Sequence, residues 1–388
     1  MHTPATSLRR HDLDWLRVGA LGLLIVTHVT YVYRTTGWRI NSEHAGLWGD
    51  LIVEAMAPWR MTLVFFIGGV ATRYMLQNHN FVGFATNRIL RLGVPFFMAV
   101  LLLVPLMWWV TDPEAHAYSY LQYEWRTPLH AHTVYGLHLP DFGHVWFLSY
   151  LLTYALIAGL VWRFAPKTWQ AVEAWSGRQS IVWILGLLAI LFIASDAVLK
   201  PVFGRTDMLI DDPAGHLRCL PPFLLGVILA RSDAFWRRLD EARAWLAPLA
   251  IAFGIVALCV AGLDTLSNHT APAWHSGVAD GLYGAAAVLA ILALGHRMLN
   301  QPSSQLRYLS DAIMPVYLMH QVVIVVVGVS LLKAGLPAWI EYPALLAATA
   351  LIPLAIYHVV IRRFDPLRLL FGLKTSVRPN GTPKVTTP

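Results

Sequence analysis

Apolar runs of about twenty residues recur along the whole of this 388-residue chain, and they restrict its fold more than any other feature. An α-helix rises about 1.5 Å per residue, so roughly 20 apolar residues cross a hydrocarbon layer about 30 Å thick. Ten such runs are legible: 13–33, 51–72, 92–110, 145–164, 180–199, 217–230, 245–263, 277–296, 312–332 and 342–361. Lipid offers backbone groups no hydrogen-bond partner, so each run is expected as a helix. The predicted fold is an all-α integral membrane protein, a bundle of about ten transmembrane helices. Within the sixth run the pair Pro221-Pro222 is expected to break or kink the helix. Composition agrees, since 57% apolar and 13% charged residues leave too few charges to coat soluble domains. The same balance excludes a disordered chain, a disulfide scaffold and a nucleic-acid binder. Cys219 and Cys259 both lie in apolar runs, and their spacing suggests neither a metal site nor a redox pair.

The net charge of +7 is chiefly a topological signal. With the N-terminus inside, twenty of the 29 Lys and Arg residues fall on the inner side and six on the outer. That bias places both termini in the cytoplasm. The remaining three, Arg17, Arg60 and Arg218, lie within spans. The domain reading is a cytoplasmic tail at 1–12, a transmembrane domain at 13–365 and a cytoplasmic tail at 366–388, disordered from about Thr375. No small-x-small cleavage site closes the first apolar run, so it is expected as a retained helix. The longest connection, 111–144, lies outside and carries Trp125, His116, His130, His132, His138 and His144. It is either an interfacial cap with aromatics at headgroup level or a lid that binds an acceptor. These histidines match no zinc-ligand spacing, and no metal is expected.

Ionisable side chains at membrane depth are expensive and mark functional candidates. Arg17 and His28 are 11 residues apart, which places them about 20° past three full turns and roughly 16 Å apart along one helix face. Asp14 stands three residues before Arg17, close enough to hold its guanidinium. The alternative for this pair is a snorkelling arginine and a histidine satisfied by a carbonyl. Glu54 and Arg60 lie in the second span, and Arg60 either holds an anion or pairs with Glu54 or Asp14. Arg88 and Arg91 are expected together at a helix start, a phosphate-binding arrangement or an ordinary positive-inside anchor. His144 opens the fourth span, while Tyr317 and His320 lie in the ninth, where Pro315 should loosen the helix and free carbonyls. Asp280 and His358, both near span ends, rank lower.

A phosphate-friendly basic mouth inside and an imidazole near the outer surface suit one reaction class. An activated group passes from a cytoplasmic phosphate-bearing carrier, such as a CoA thioester, to an acceptor outside. The imidazole serves as general base or transient nucleophile. No Walker loop, GxSxG elbow or HExxH motif competes with that assignment.

Asp14-Trp-Leu-Arg17 followed at ten residues by His28 resembles the Arg-x10-His signature of the membrane acyltransferase 3 family. Trp59-Arg60-Met with Phe65-Phe66-Ile-Gly-Gly69, Arg88-x-x-Arg91 with Pro95, His144-x-Trp146-Phe-Leu, Pro222-Phe-Leu-Leu-Gly226-Val and Tyr317-x-x-His320-Gln321 follow in the family's order. The resemblance runs from about Leu13 to Asp365. Within the family, the Trp-Arg-Met stretch and Phe235-Trp236-Arg237 look closest to a branch that succinylates glucans. The resemblance implies essential roles for Arg17 and His28 as the catalytic pair, with an acyl-CoA donor from the cytoplasm and an extracytoplasmic glycan acceptor. It implies a bacterial inner-membrane location and no permanently bound cofactor. Asp14, Glu54, His144, Tyr317 and His320 are then expected as supporting residues, and Arg88, Arg91 and Arg60 as donor-binding. Family members with a fused hydrolase-like domain do not match, so the chain is expected to deliver the acyl group itself or to a separate protein. Succinyl- and acetyl-CoA both remain open as donors, and so does pairing with a second copy. A succinyl group brings a carboxylate that needs a cation, and Arg60 is preferred over Arg218 because it lies deeper. O-acetylation of a surface polysaccharide or lipopolysaccharide is one alternative function. A transporter of glycans or lipid-linked sugars is the other.

Overall fold

The computed structural model describes residues 10–120, 122, 132–134, 137–267 and 272–375. Expectations placed on Trp125, on His130 and on the polar ends 1–9 and 376–388 lie outside the described residues, as do the side chains of His116, His132 and His138. Among the described residues twelve helices follow one another. They are α1 (His11–Thr30), α2 (Leu47–Asn78), α3 (Phe81–Thr111), α4 (Trp146–Phe164), α5 (Pro166–Ser176) and α6 (Ile181–Phe203). The remainder are α7 (Pro213–Leu229), α8 (Asp233–Leu266), α9 (Ala273–Met298), α10 (Ser304–Leu332), α11 (Ala338–Val359) and α12 (Asp365–Leu370). A short antiparallel pair, β1 (His132–Val134) and β2 (Leu137–Leu139), joins Thr133 to His138 in register.

Among the described residues, nine helical segments are long and apolar enough to cross a membrane. The sixth expected span differs, because α7 is an apolar helix of only 17 residues. It also runs unbroken through Pro221 and Pro222. Proline's fixed φ near −65° is itself helical, so the two residues remove hydrogen bonds without ending a helix that neighbours hold in place. Most helices extend beyond the apolar runs. The run at 245–263 is the middle of α8, which spans Asp233–Leu266. Hydropathy reads the lipid thickness, whereas a helix continues until its cap. Here Ser232 accepts a hydrogen bond from the backbone N–H of Phe235 at 3.2 Å.

The chain divides into two compact units, one of residues 1–81 and 157–310, the other of 82–156 and 311–388. In the first unit α2 packs against α1, α7, α8 and α9, and α9 packs against α6 and α8. The core runs through Leu63, Phe66, Ile67, Phe235, Leu239 and the alanine-rich stretch Ala285–Ala287 of α9. Helix α2 crosses α7 at backbone contact. A Cβ on Gly69 would strike the Phe223 carbonyl, and one on Gly226 would strike that of Phe66. Small residues permit this approach, which replaces side-chain interdigitation by backbone van der Waals packing.

In the second unit α3 carries two widened π-helical turns, Ile89–Gly93 and Ala99–Leu103. Pro95 and Pro105 each stand two residues after such a turn. The extra residue in the turn rearranges the hydrogen bonds that proline cannot donate. Helix α6 of the first unit repeats the device, with a π-helical segment Ala194–Leu199 before Pro201.

Candidate active site

The candidate residues fall into two groups, one in each unit. In the first unit, Leu13, Leu16, Ala20, Leu24 and Thr27 form the buried stripe of α1. Arg17 and His28 are half-buried on one flank of that stripe, about 70° from its centre. Helical spacing alone placed the two on one face, and α1 is continuous between them. Asp14 is half-buried one turn before Arg17.

Tyr31, one turn beyond His28, connects this face to α2. Its ring centroid lies 5.3 Å from that of His28, and its hydroxyl is near the Arg60 guanidinium. Arg60 is only 4% exposed. Its Nε and Nη1 have no hydrogen-bond partner among the described residues. A guanidinium is costly to bury with donors unused, and an anion is the partner that satisfies them. Sequence reading missed Tyr31, although its i,i+3 spacing from His28 was visible, because its link to Arg60 is tertiary.

Glu54 and Arg60 are six residues apart on α2 and face different partners. Glu54 lies close to Asp280 on α9, two carboxyl groups facing one another. Arg218 of α7 is fully engaged: Nη1 donates to Asp196 Oδ2 at 2.6 Å, and Nη2 donates to the Pro58 carbonyl and to that of Asp280 at 3.4 Å. Its guanidinium also lies 4.1 Å from the Phe192 ring centroid. Gly284 makes room for it, since a Cβ there would meet both Arg218 Nη2 and the Pro58 carbonyl. Arg218 is therefore a strut joining α2, α6, α7 and α9.

In the second unit, His144, Tyr317 and His320 come together. His144 Nε2 donates to the Leu318 carbonyl at 2.9 Å, and the Tyr317 hydroxyl donates to the His144 carbonyl at 2.6 Å. The two imidazole rings lie 5.2 Å apart, edge to face, and His320 is fully buried with Nδ1 against the Tyr317 carbonyl. Helix α10 stays continuous through Pro315. Arg88 and Arg91 lie on the same helix but not at its start, because α3 begins at Phe81. Arg88 is buried, its guanidinium 5.6 Å from the Phe84 ring centroid, while Arg91 is half-buried with Asp311 nearby. Arg91 lies within the π-helical turn Ile89–Gly93, and Arg88 immediately precedes it. Among the described residues no group of three or more His, Cys, Asp or Glu is placed to hold a metal ion.

Comparison with known proteins decides the family. The acyltransferase 3 family, described as an acyltransferase domain, matches residues 10–358. The chain belongs to this family. Every candidate residue above lies within the matched region. The chain is also similar to the glucans biosynthesis protein C of Salmonella gallinarum (strain 287/91 / NCTC 13346), with 24% identity over 326 residues, covering 80% of this chain and 81% of the relative. The proteins of that name from Salmonella paratyphi B and Salmonella enteritidis PT4 match to the same extent. No solved structure matches. This acyltransferase 3 protein is a multi-pass membrane protein and an enzyme that transfers acyl groups other than amino-acyl groups.

Proposed function

We propose that the protein is an O-acyltransferase of the bacterial inner membrane that moves a succinyl group from cytoplasmic succinyl-CoA to a hydroxyl of an extracytoplasmic glycan. The relatives' name, glucans biosynthesis protein C, supports a glycan acceptor. The biased distribution of Lys and Arg supports a cytoplasmic N-terminus, with Arg17 on the inner side and His28 on the outer.

One observation carries the choice of succinyl. Of the in-span arginines considered for the acyl carboxylate, Arg218 is consumed by Asp196 and two carbonyls. Arg60 has unused buried donors and reaches His28 through Tyr31. A succinyl carboxylate on Arg60 would set the thioester carbonyl beside the imidazole. His28 then accepts the proton of the acceptor hydroxyl as its oxygen attacks the thioester carbon. The C–S bond breaks, and the proton passes to the departing CoA sulfur. Arg17 holds the phosphate-bearing donor in line along the same helix face.

The test is transfer by the purified protein in nanodiscs, given radiolabelled succinyl-CoA or acetyl-CoA and a glucan. Labelled glucan from succinyl-CoA in excess over acetyl-CoA is expected. Preference for acetyl-CoA would replace succinyl by acetyl, and no transfer from either, with no thermal stabilisation by CoA, would favour a transporter.

A further inference from the structure

The first unit contains a second feature that the proposed reaction leaves unused, at the end of the bundle where α1 begins. A cavity of about 660 Å³ opens there, within the range of ligand pockets. It is lined by Arg10, Tyr74, Arg231, Trp236, Arg237 and Arg297. Arg10 is fixed in place: its guanidinium lies 3.9 Å from the Trp236 ring centroid, and Nη2 donates to Asp12 Oδ2 at 2.6 Å. Asp12, wholly buried, also meets His296 Nδ1 at 3.1 Å. Asp12 thus balances Arg10. Two further carboxylates, Asp233 and Asp240, line the cavity, and Asp240 pairs with Arg243 at 3.1 Å. Among the described residues none of Arg231, Arg237 and Arg297 forms an ion pair. With its amide oxygen turned inward, Gln77 accepts from Arg231 Nη1 at 2.6 Å and from Arg73 Nη1 at 2.8 Å. Three guanidiniums around one cavity repel each other unless an anion joins them, and their forked donors suit phosphate.

Position on α1 selects the anion. Arg10 stands at the cavity, Arg17 lies seven residues on and His28 a further eleven, which puts all three within about 20° of one line over roughly 27 Å of helix. A ligand with a multiply phosphorylated head, a long thin arm and a reactive far end fits that line. We propose that this cavity binds the 3′-phosphorylated nucleotide end of the acyl-CoA donor, with Arg231, Arg237 and Arg297 as its phosphate ligands. The proposal rests on the acyl-CoA reading of the donor. It also gives a role to Phe235-Trp236-Arg237, which the transfer chemistry leaves without one.

The test measures binding of CoA and of 3′-dephospho-CoA to the full chain in phosphatidylcholine nanodiscs by calorimetry. Wild type should prefer CoA. Arg231→Gln, Arg237→Gln and Arg297→Gln should each weaken CoA by roughly 10–150-fold, consistent with the loss of one charge-assisted hydrogen bond. The triple variant should lose the preference over dephospho-CoA. Arg178→Gln, an exposed charge outside the cavity, should bind as wild type, and melting temperature checks that the variants are folded. Wild-type affinity in all three single variants would overturn the site while leaving the donor intact. Equal binding of CoA and dephospho-CoA by wild type, with competition from phosphatidylglycerol, would assign the cavity to a lipid headgroup instead. Failure of wild type to bind CoA at all would remove the donor reading together with the site.

Discussion

Two buried arginines, Arg60 and Arg218, are alike in the sequence and different in their surroundings. Arg218 is surrounded by acceptors, and removing Asp196 from beneath it leaves an uncompensated charge in the protein interior. Asp196→Ala should therefore cost about 3–5 kcal/mol, read as a lowered melting temperature and poor recovery of folded protein. Arg60 has the opposite signature, a buried guanidinium with idle donors. Arg60→Met should reduce succinyl transfer by roughly 10–150-fold, the loss of about 1.5–3 kcal/mol in a hydrogen bond to a charged group, while acetyl transfer and folding persist. Equal loss of both activities would make Arg60 structural. Tyr31→Phe keeps the ring beside His28 and removes the hydroxyl at Arg60, so it should raise KM for succinyl-CoA more than it lowers kcat. At this scale the sequence was informative wherever periodicity suffices: the shared face of Arg17 and His28 follows from 3.6 residues per turn. Tyr31 and Asp12 were not singled out, because their importance comes from residues far away in the chain, Arg60 and His296.

The elements explain motifs that residue chemistry leaves unexplained. Phe65-Phe66-Ile-Gly-Gly69 and Pro222-Phe-Leu-Leu-Gly226 mark the crossing of α2 and α7, where Gly69 and Gly226 each sit against a carbonyl of the other helix. Gly226→Leu should prevent that approach and displace α2, which carries Glu54 and Arg60. The expected outcome is loss of folded protein in detergent, measured by size-exclusion recovery, with no partial activity. Glycines spaced along apolar runs were legible, but which helix each one faces was not, since pairing between helices is a tertiary property. Proline is legible in part for a related reason. Pro221-Pro222 reads as a break or kink and Pro315 as a loosening, yet α7 and α10 continue through them. The widened turns preceding Pro95, Pro105 and Pro201 show where the backbone does adapt.

For the whole molecule, apolar run length pointed to an all-α membrane protein, and among the described residues nine of the ten expected spans are long enough to cross. The exception is the sixth, the 17-residue α7, which packs against α2. The family follows from a match over residues 10–358, and the ordered motifs were visible beforehand because each is local. The division into two units was not visible, since each is assembled from separated stretches of chain. The proposed reaction converges on one side chain, the His28 imidazole, whose ring lies beside Tyr31 and on the same helix face as Arg17. The most direct measurement is transfer of radiolabelled succinyl from succinyl-CoA to glucan by purified His28→Ala in nanodiscs, set against wild type with CoA binding measured in the same samples. A general base contributes roughly 10²–10⁴-fold, so the variant should bind CoA normally and transfer at least about a hundredfold more slowly. Transfer at the wild-type rate would contradict the assignment of His28 as the base.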